Sequence, residues 1–443
     1  MVGKILSTIN VDKNVLIFLS SKFFSYLSYP ITLGLIIKYL SLEQQGYYYT
    51  FFTLLSFSMF LELGLGVILT NFSSHEFSKL RWYNNHLTGD KIALKRSLLL
   101  IKKTIQWFSA IALIFFILMF FVGKYFFSDL NSIYYLNAWI IFIAVFSPGL
   151  IFSPFLSILQ GFGKVKEVQT LIFFQVFFSI IAFWMGLLND FNIYALVLQF
   201  AVQNLISSIY IFYKYSKLIF HSLLENNKLF SWKNEILPLQ LKTGFTWLVS
   251  YLGLNLLVPF SFKIFGPEAA GQIGMTFRIA EIVSIVCLAW TNTRVPLMGK
   301  MIASNEKDKF YNFFSKTLNS ILVIGFLLMI AIFILFNLLD YFLLNSFLQR
   351  VLSLQSIMIM AFGYYMFSIS NYLAMTIRSF KDEKMILPNV IALFTYSIAI
   401  FLSSFFNDYK YLILSYLIVN ALVLLPFSIK NIRKTFNFYN WSN

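Results

Sequence analysis

Long stretches almost free of charge alternate with short polar connections along the whole chain. The apolar runs fall at roughly 15–38, 47–70, 104–127, 138–159, 168–188, 193–213, 240–262, 272–295, 317–340, 351–377, 386–406 and 411–429. A helix rises 1.5 Å per residue, so a run of about 20 residues crosses roughly 30 Å of hydrocarbon. Only helices and closed barrels satisfy every backbone polar group in lipid, and runs this long and unbroken predict helices. The pattern therefore predicts an all-α integral membrane protein with twelve transmembrane helices. Two runs are interrupted by charge, the first by Lys22 and the eighth by Arg278 and Glu281. The first run starts near Asn14 and outlasts the apolar core of a cleavable leader, which predicts a retained span.

Composition narrows the function classes. Aliphatic, aromatic and cysteine residues make up 59% of the chain and charged residues 12%, where a soluble domain is about one quarter charged. The lone cysteine, Cys287, excludes an internal disulfide and a cysteine-cluster metal site. His75, His86 and His221 all fall in polar connections. The chain carries no Walker A sequence, no zinc-type His/Glu pattern and no GxSxG elbow. Neither a cofactor nor a metal is expected, and the chain is not expected to be an enzyme.

The net charge of +16 reads as topology. With the N-terminus placed in the cytoplasm, 27 basic residues fall in inner connections and five in outer ones. That asymmetry predicts cytoplasmic N- and C-termini in a multi-pass protein of the cytoplasmic (inner) membrane. It also makes nucleic-acid binding an unneeded explanation of the basic excess.

The polar stretch 214–239 divides the runs six and six. We expect an N-terminal six-helix lobe over 1–213, a cytoplasmic linker over 214–239 and a C-terminal six-helix lobe over 240–443. The two halves echo one another. KYLSLEQQG (38–46) joins the first two runs and KIFGPEAAG (263–271) joins the seventh and eighth, with Lys38, Glu43 and Gly46 matched by Lys263, Glu268 and Gly271. FLSILQGFGK (155–164) aligns with YLAMTIRSFK (372–381) at the inner ends of the fourth and tenth runs. Pro30 and Pro259 sit past the middle of the first and seventh, where proline kinks a helix. An even number of spans per half gives a parallel repeat about an axis along the membrane normal. Carriers built this way hold their substrate between the halves, in a central cavity, and rock around it.

The L-x-x-E-x-x-G pattern ending at Gly46, the turn Gln160-Gly161-Phe162-Gly163-Lys164 and the six-plus-six count resemble the multidrug/oligosaccharidyl-lipid/polysaccharide exporter superfamily. Within it the chain looks like the polysaccharide-lipid (Wzx-type) flippases. The resemblance covers essentially all 443 residues. It implies a flippase moving undecaprenyl-pyrophosphate-linked oligosaccharide repeat units from inner to outer leaflet, for O-antigen or capsule biosynthesis. The implied partners are the lipid-linked oligosaccharide, membrane lipid, a polysaccharide polymerase and a chain-length regulator. The second half departs from the glycine turn, with Ile377 and Arg378 standing where Gln160 and Gly161 stand.

Charges and polar stripes inside the runs give the candidate site. A charged side chain at mid-helix costs about 2.5–3.5 kcal/mol to insert and marks a wet cavity or a partner. Ser21, Ser25, Ser28 and Thr32 share one helical face of the first run, with Lys22, Tyr26 and Tyr29 on the adjacent face. This stripe reads either as the lining of a hydrated cavity or as a small-residue packing seam. Arg278 and Glu281 stand three residues apart, close enough to pair; alternatively Arg278 holds a substrate phosphate. Lys22, Ser25, Tyr26, Tyr29, Arg278 and Glu281 are the expected substrate-binding residues, and Glu62 and Glu281 the candidates for ion coupling. Tyr47, Tyr48 and Tyr49 read first as an interfacial aromatic belt, with sugar stacking as the alternative. Two rival functions stay open: a drug or cation exporter of the same superfamily, which would use acids such as Glu62 and Glu281, and a membrane oligosaccharide polymerase.

Overall fold

The computed structural model describes residues 13–62, 65–83, 86–127, 133–227, 229–341, 345–380, 382 and 384–438. Among the described residues, each apolar run is mostly helical. Nine helices among the described residues are long and apolar enough to cross a membrane. The first span is the helix Lys13–Tyr39. The second is interrupted after Leu55: Leu42–Leu55 is followed by the helical segments Ser58–Glu62 and Leu65–Phe77, with 63–64 outside the described residues. The seventh and eighth form one continuous stretch, Leu237–Ala303, bent at Gly266.

The side chains show why a membrane is the solvent. Large apolar residues face outward, among them Phe121 on Lys91–Phe127, Phe326 on Lys307–Tyr341 and Phe401 on Ile386–Phe406. Small polar residues face inward, including Ser73, Thr317, Ser368 and Thr376. Their hydroxyls donate to the carbonyl one turn back, as in Thr317 to Phe313 at 2.7 Å and Ser368 to Tyr364 at 2.8 Å. A short hydroxyl side chain thus satisfies itself on its own helix and lets neighbouring helices approach.

By internal packing the chain forms two units: Met1–Ser41 with Ser56–Phe245, and Leu42–Leu55 with Thr246–Asn443. The sequence reading divides the chain at 214–239, whereas packing groups Leu42–Leu55, the start of the second span, with the C-terminal helices.

In the first unit the long passes are Lys13–Tyr39, Lys91–Phe127, Val165–Leu188, Tyr194–Leu224 and the pair Ile133–Phe146 and Gly149–Gly161, which together make one pass. Two features were not predicted. The connection 71–103 holds an antiparallel hairpin, Leu80–Tyr83 with His86–Gly89, and Asp90 caps the next helix by accepting from the Ala93 N–H at 2.8 Å. The Tyr194–Leu224 helix runs eleven residues past the expected end at 213, so the first part of the expected linker is helical. The rest of that linker is tied down. Arg96 pairs with Glu76 at 2.7 Å and Glu235 at 2.6 Å, and donates to the Leu229 carbonyl at 2.7 Å.

The glycine turn Gln160–Lys164 is structural. Gly163 adopts φ +77°, a backbone geometry suited to glycine. The turn is clamped by the Trp82 indole N–H, which donates to the Phe162 carbonyl at 2.7 Å. Phe162 caps its helix and is fully buried; Phe380 does the same for Leu354–Ser379 in the second unit, so the two halves share this ending without sharing the glycines.

Candidate functional site: the repeat crossing and the Arg278–Glu281 pair

The two echoed connections meet. Ser41 precedes Leu42–Leu55 without being helical, and Glu43 lies in that helix's first turn. In the second copy Gly266 breaks the helix at φ 85° and ψ 175°, geometry that essentially only glycine adopts. Pro267 and Glu268 then restart it, as proline and an acid do at helix N-termini. The restarted helix and Leu42–Leu55 cross glycine on glycine. A Cβ added to Gly271 would come within 2.8 Å of the Gly46 nitrogen, and one added to Gly46 would overlap the Pro267 carbonyl. Gln45, fully buried beside the crossing, donates from its amide to the carbonyls of Gly271 and Arg350, each at 3.0 Å. Its carbonyl accepts from Arg350 at 3.2 Å. The contact is satisfied throughout, the condition for burying an amide.

Farther along the restarted helix, Arg278 and Glu281 pair at 2.9 Å. Both side chains are about one-third exposed, at 31% and 32%. The Arg278 guanidinium lies over the Phe52 ring, 4.8 Å from its centroid, and Tyr48 stacks on Phe52 at 6.4 Å within the field of Arg278. Tyr364 and Tyr416, with rings 4.5 Å apart, lie within the field of Glu281. Phe277 meets both edge-on. Gly363 makes room for Tyr416, whose ring a Cβ there would meet at 2.7 Å. One turn beyond Tyr416 the helix widens into a π-helical turn, Val419–Leu424, a feature found often at functional sites. The cluster presents both signs of charge: Glu281 can accept from a cationic group and Arg278 can donate to an anionic one. Its rings suit flat apolar groups or sugar faces.

Tyr47 and Tyr49 correct the belt expectation. Both are buried, at 5% and 4% exposure. Tyr47 packs edge-on against Phe262 at 4.9 Å, and Tyr49 covers Gly274. Tyrosines of a lipid-facing belt would be exposed; these are turned inward because the crossing glycines draw their helix against its neighbour.

The remaining candidates lie in the first unit. The side chains of Lys22, Ser25 and Tyr26 lie outside the described residues, and Tyr29 is half-buried. On the same helix Ser28 is buried. Thr32 donates to the Ser28 carbonyl at 2.9 Å and accepts from the Trp184 indole at 2.9 Å. At Ser28 and Thr32 the polar stripe is therefore a packing seam. Glu62 lies in the helical segment Ser58–Glu62 and is half-buried. Among the described residues no basic side chain pairs with it. Nor do the described residues hold a group of three metal-ligating side chains.

Sequence missed Gln45, Phe52, Tyr364 and Tyr416, and singled out Tyr48 without its partner Phe52. The signal available was the repeat itself, which marks Gly46 and Gly271 as equivalent positions.

No family model and no curated protein matches this chain. Solved structures do. One described as the inward-facing conformation of a multidrug resistance MATE family transporter of the MOP superfamily is 14% identical, over 92% of this chain and 95% of its own, with a TM-score of 0.64. One described as the outward-facing conformation of a multidrug resistance MATE family transporter is 12% identical over 96% of this chain and 94% of its own, with a TM-score of 0.51. A MOP superfamily transporter from Pyrococcus furiosus, described as having a binding pocket of reverse polarity suggesting a different function, is 11% identical over 95% and 94%, at 0.58. These likenesses establish the all-α membrane fold of MATE-type transporters for this multi-pass chain.

Proposed function

We propose that this chain is an alternating-access exporter of an amphiphilic organic cargo in the cytoplasmic membrane, with both termini in the cytoplasm. The observation that carries the reading is the glycine-on-glycine crossing. It joins a segment from the first half of the sequence to its repeat equivalent in the second, at the turn expected to face outside. Such a contact is small, dry and complementary, so it can close one side of a carrier and part to open it. That related folds are described in inward-facing and outward-facing conformations supports the same cycle.

Two cargo classes have specific support. Multidrug transporters share the fold, and Arg278 is matched by Glu281 in an aromatic surround, which favours a lipophilic drug or cation. Glu62, without a basic partner among the described residues, is then the coupling carboxyl, with Glu281 meeting the cargo. The other cargo is an undecaprenyl-pyrophosphate-linked oligosaccharide. It is supported by the turn motifs and by the variation in pocket polarity reported on this fold. Lys22 and Arg278 would face its pyrophosphate, with Ser25, Tyr26 and Tyr29 along the sugars. Outward passage of the anionic head gains about 2.3 kcal/mol per charge per 100 mV.

Deleting the gene separates these readings. Loss of efflux of a fluorescent lipophilic cation, with surface glycan intact, assigns the drug cargo. Unpolymerised lipid-linked repeats on the inner leaflet, with cation efflux intact, assign the glycan. Neither phenotype in a strain shown to express the protein contradicts an exporter of either cargo.

A further inference from the structure

The Tyr194–Leu224 helix is longer than the bilayer it crosses. Its 31 residues extend about 46 Å, against roughly 30 Å of hydrocarbon. Its apolar run ends near 213, so its last turns project beyond the hydrocarbon. There the helix and His86 of the hairpin border an open groove of about 810 Å³, lined on the helix by Phe212, Ser216, Lys217, Phe220, His221 and Leu223. The two imidazoles, 135 residues apart in sequence, lie side by side and tilted, with ring centroids 6.2 Å apart. No carboxylate lines the groove. Lys214, one turn earlier, is taken up by Glu167 at 2.7 Å, whereas Lys217 pairs with no carboxylate among the described residues. The apolar lining is open: Phe212 is 58% exposed and Phe220 62%.

We propose that this groove binds an anionic phospholipid of the cytoplasmic leaflet. Lys217, Ser216 and the two imidazoles supply donors to the phosphate, and Phe212, Phe220 and Leu223 carry the acyl chains. The depth of the groove, where the helix leaves the hydrocarbon, is the depth of a headgroup. A soluble anion would match Lys217 but leave the rings uncovered. A zwitterionic lipid would cover the rings but leave the ammonium only partly matched. The assignment is independent of which cargo the carrier exports.

The test is lipid retention by the full-length protein, read by native mass spectrometry after mixing with phosphatidylglycerol or phosphatidylcholine. The wild type should retain phosphatidylglycerol preferentially. Lys217→Gln should weaken that retention about fivefold, the factor one basic side chain contributes at an anionic surface. His221→Gln should weaken it in the same direction. Both residues are exposed, so neither change should disturb folding. Lys103→Gln, exposed on another helix, should leave retention unchanged. Equal retention of the two lipids would overturn the proposal. So would equal loss from Lys103→Gln, which signals diffuse surface charge, or displacement by inorganic phosphate alone, which signals a soluble anion.

Discussion

Gly46 and Gly271 show how much one hydrogen in place of a methyl can decide. Each faces the other helix's backbone, so a Cβ cannot be absorbed by turning a side chain. Gly46→Ala should destabilise the protein by about 1–3 kcal/mol, the usual range for overpacking, and lower transport; thermal unfolding in detergent and an export assay check both effects. At the ion pair, Arg278→Ala and Glu281→Ala should each impair export. The double variant should be no worse than the poorer single one, because each single change strands the other charge. Arg278→Lys keeps the charge but loses the planar face over Phe52, and should fall between wild type and alanine. Arg278 and Glu281 were legible in sequence because charge is conspicuous in an apolar run. Phe52, Tyr364 and Tyr416 were not, since aromatic residues are common in any membrane helix and only packing separates those beside the ion pair from those facing lipid.

Helices were legible at the level of elements because hydrophobic length is a one-dimensional signal. Their breaks were less so. The second span reads as one run over 47–70, yet its helix divides after Leu55; no proline or glycine marks Leu55, and the segments on either side of it pack with different units. The 80–89 hairpin was hidden in a polar connection because its strands are four residues each, too short for alternation to register. The docked linker depends on Arg96, whose partners lie 20 and 139 residues away, a spacing no local pattern reveals. Arg96→Ala should cost about 1–3 kcal/mol through lost charged hydrogen bonds. It should also make the 225–236 segment more open to protease, measured on the purified protein. Unchanged cleavage would mean the segment is held by its apolar contacts, such as Phe230 on Phe72 at 5.3 Å.

For the whole molecule, the sequence repeat becomes a physical contact: two equivalent turns, 225 residues apart, pack glycine to glycine. An exporter that alternates access must part and remake this contact in each cycle. The chain offers a clean way to ask, since Cys287 is its sole cysteine and is buried. In a Cys287→Ser background, Gln45→Cys and Arg350→Cys replace two side chains that now touch across the crossing. Bridging them with a short, reducible bifunctional thiol reagent holds the crossing shut. Export of the cargo that accumulates in the deletion strain should stop on bridging and return on reduction. Full export by fully bridged protein would contradict the account, because the crossing would then be a fixed strut and transport would proceed without opening it.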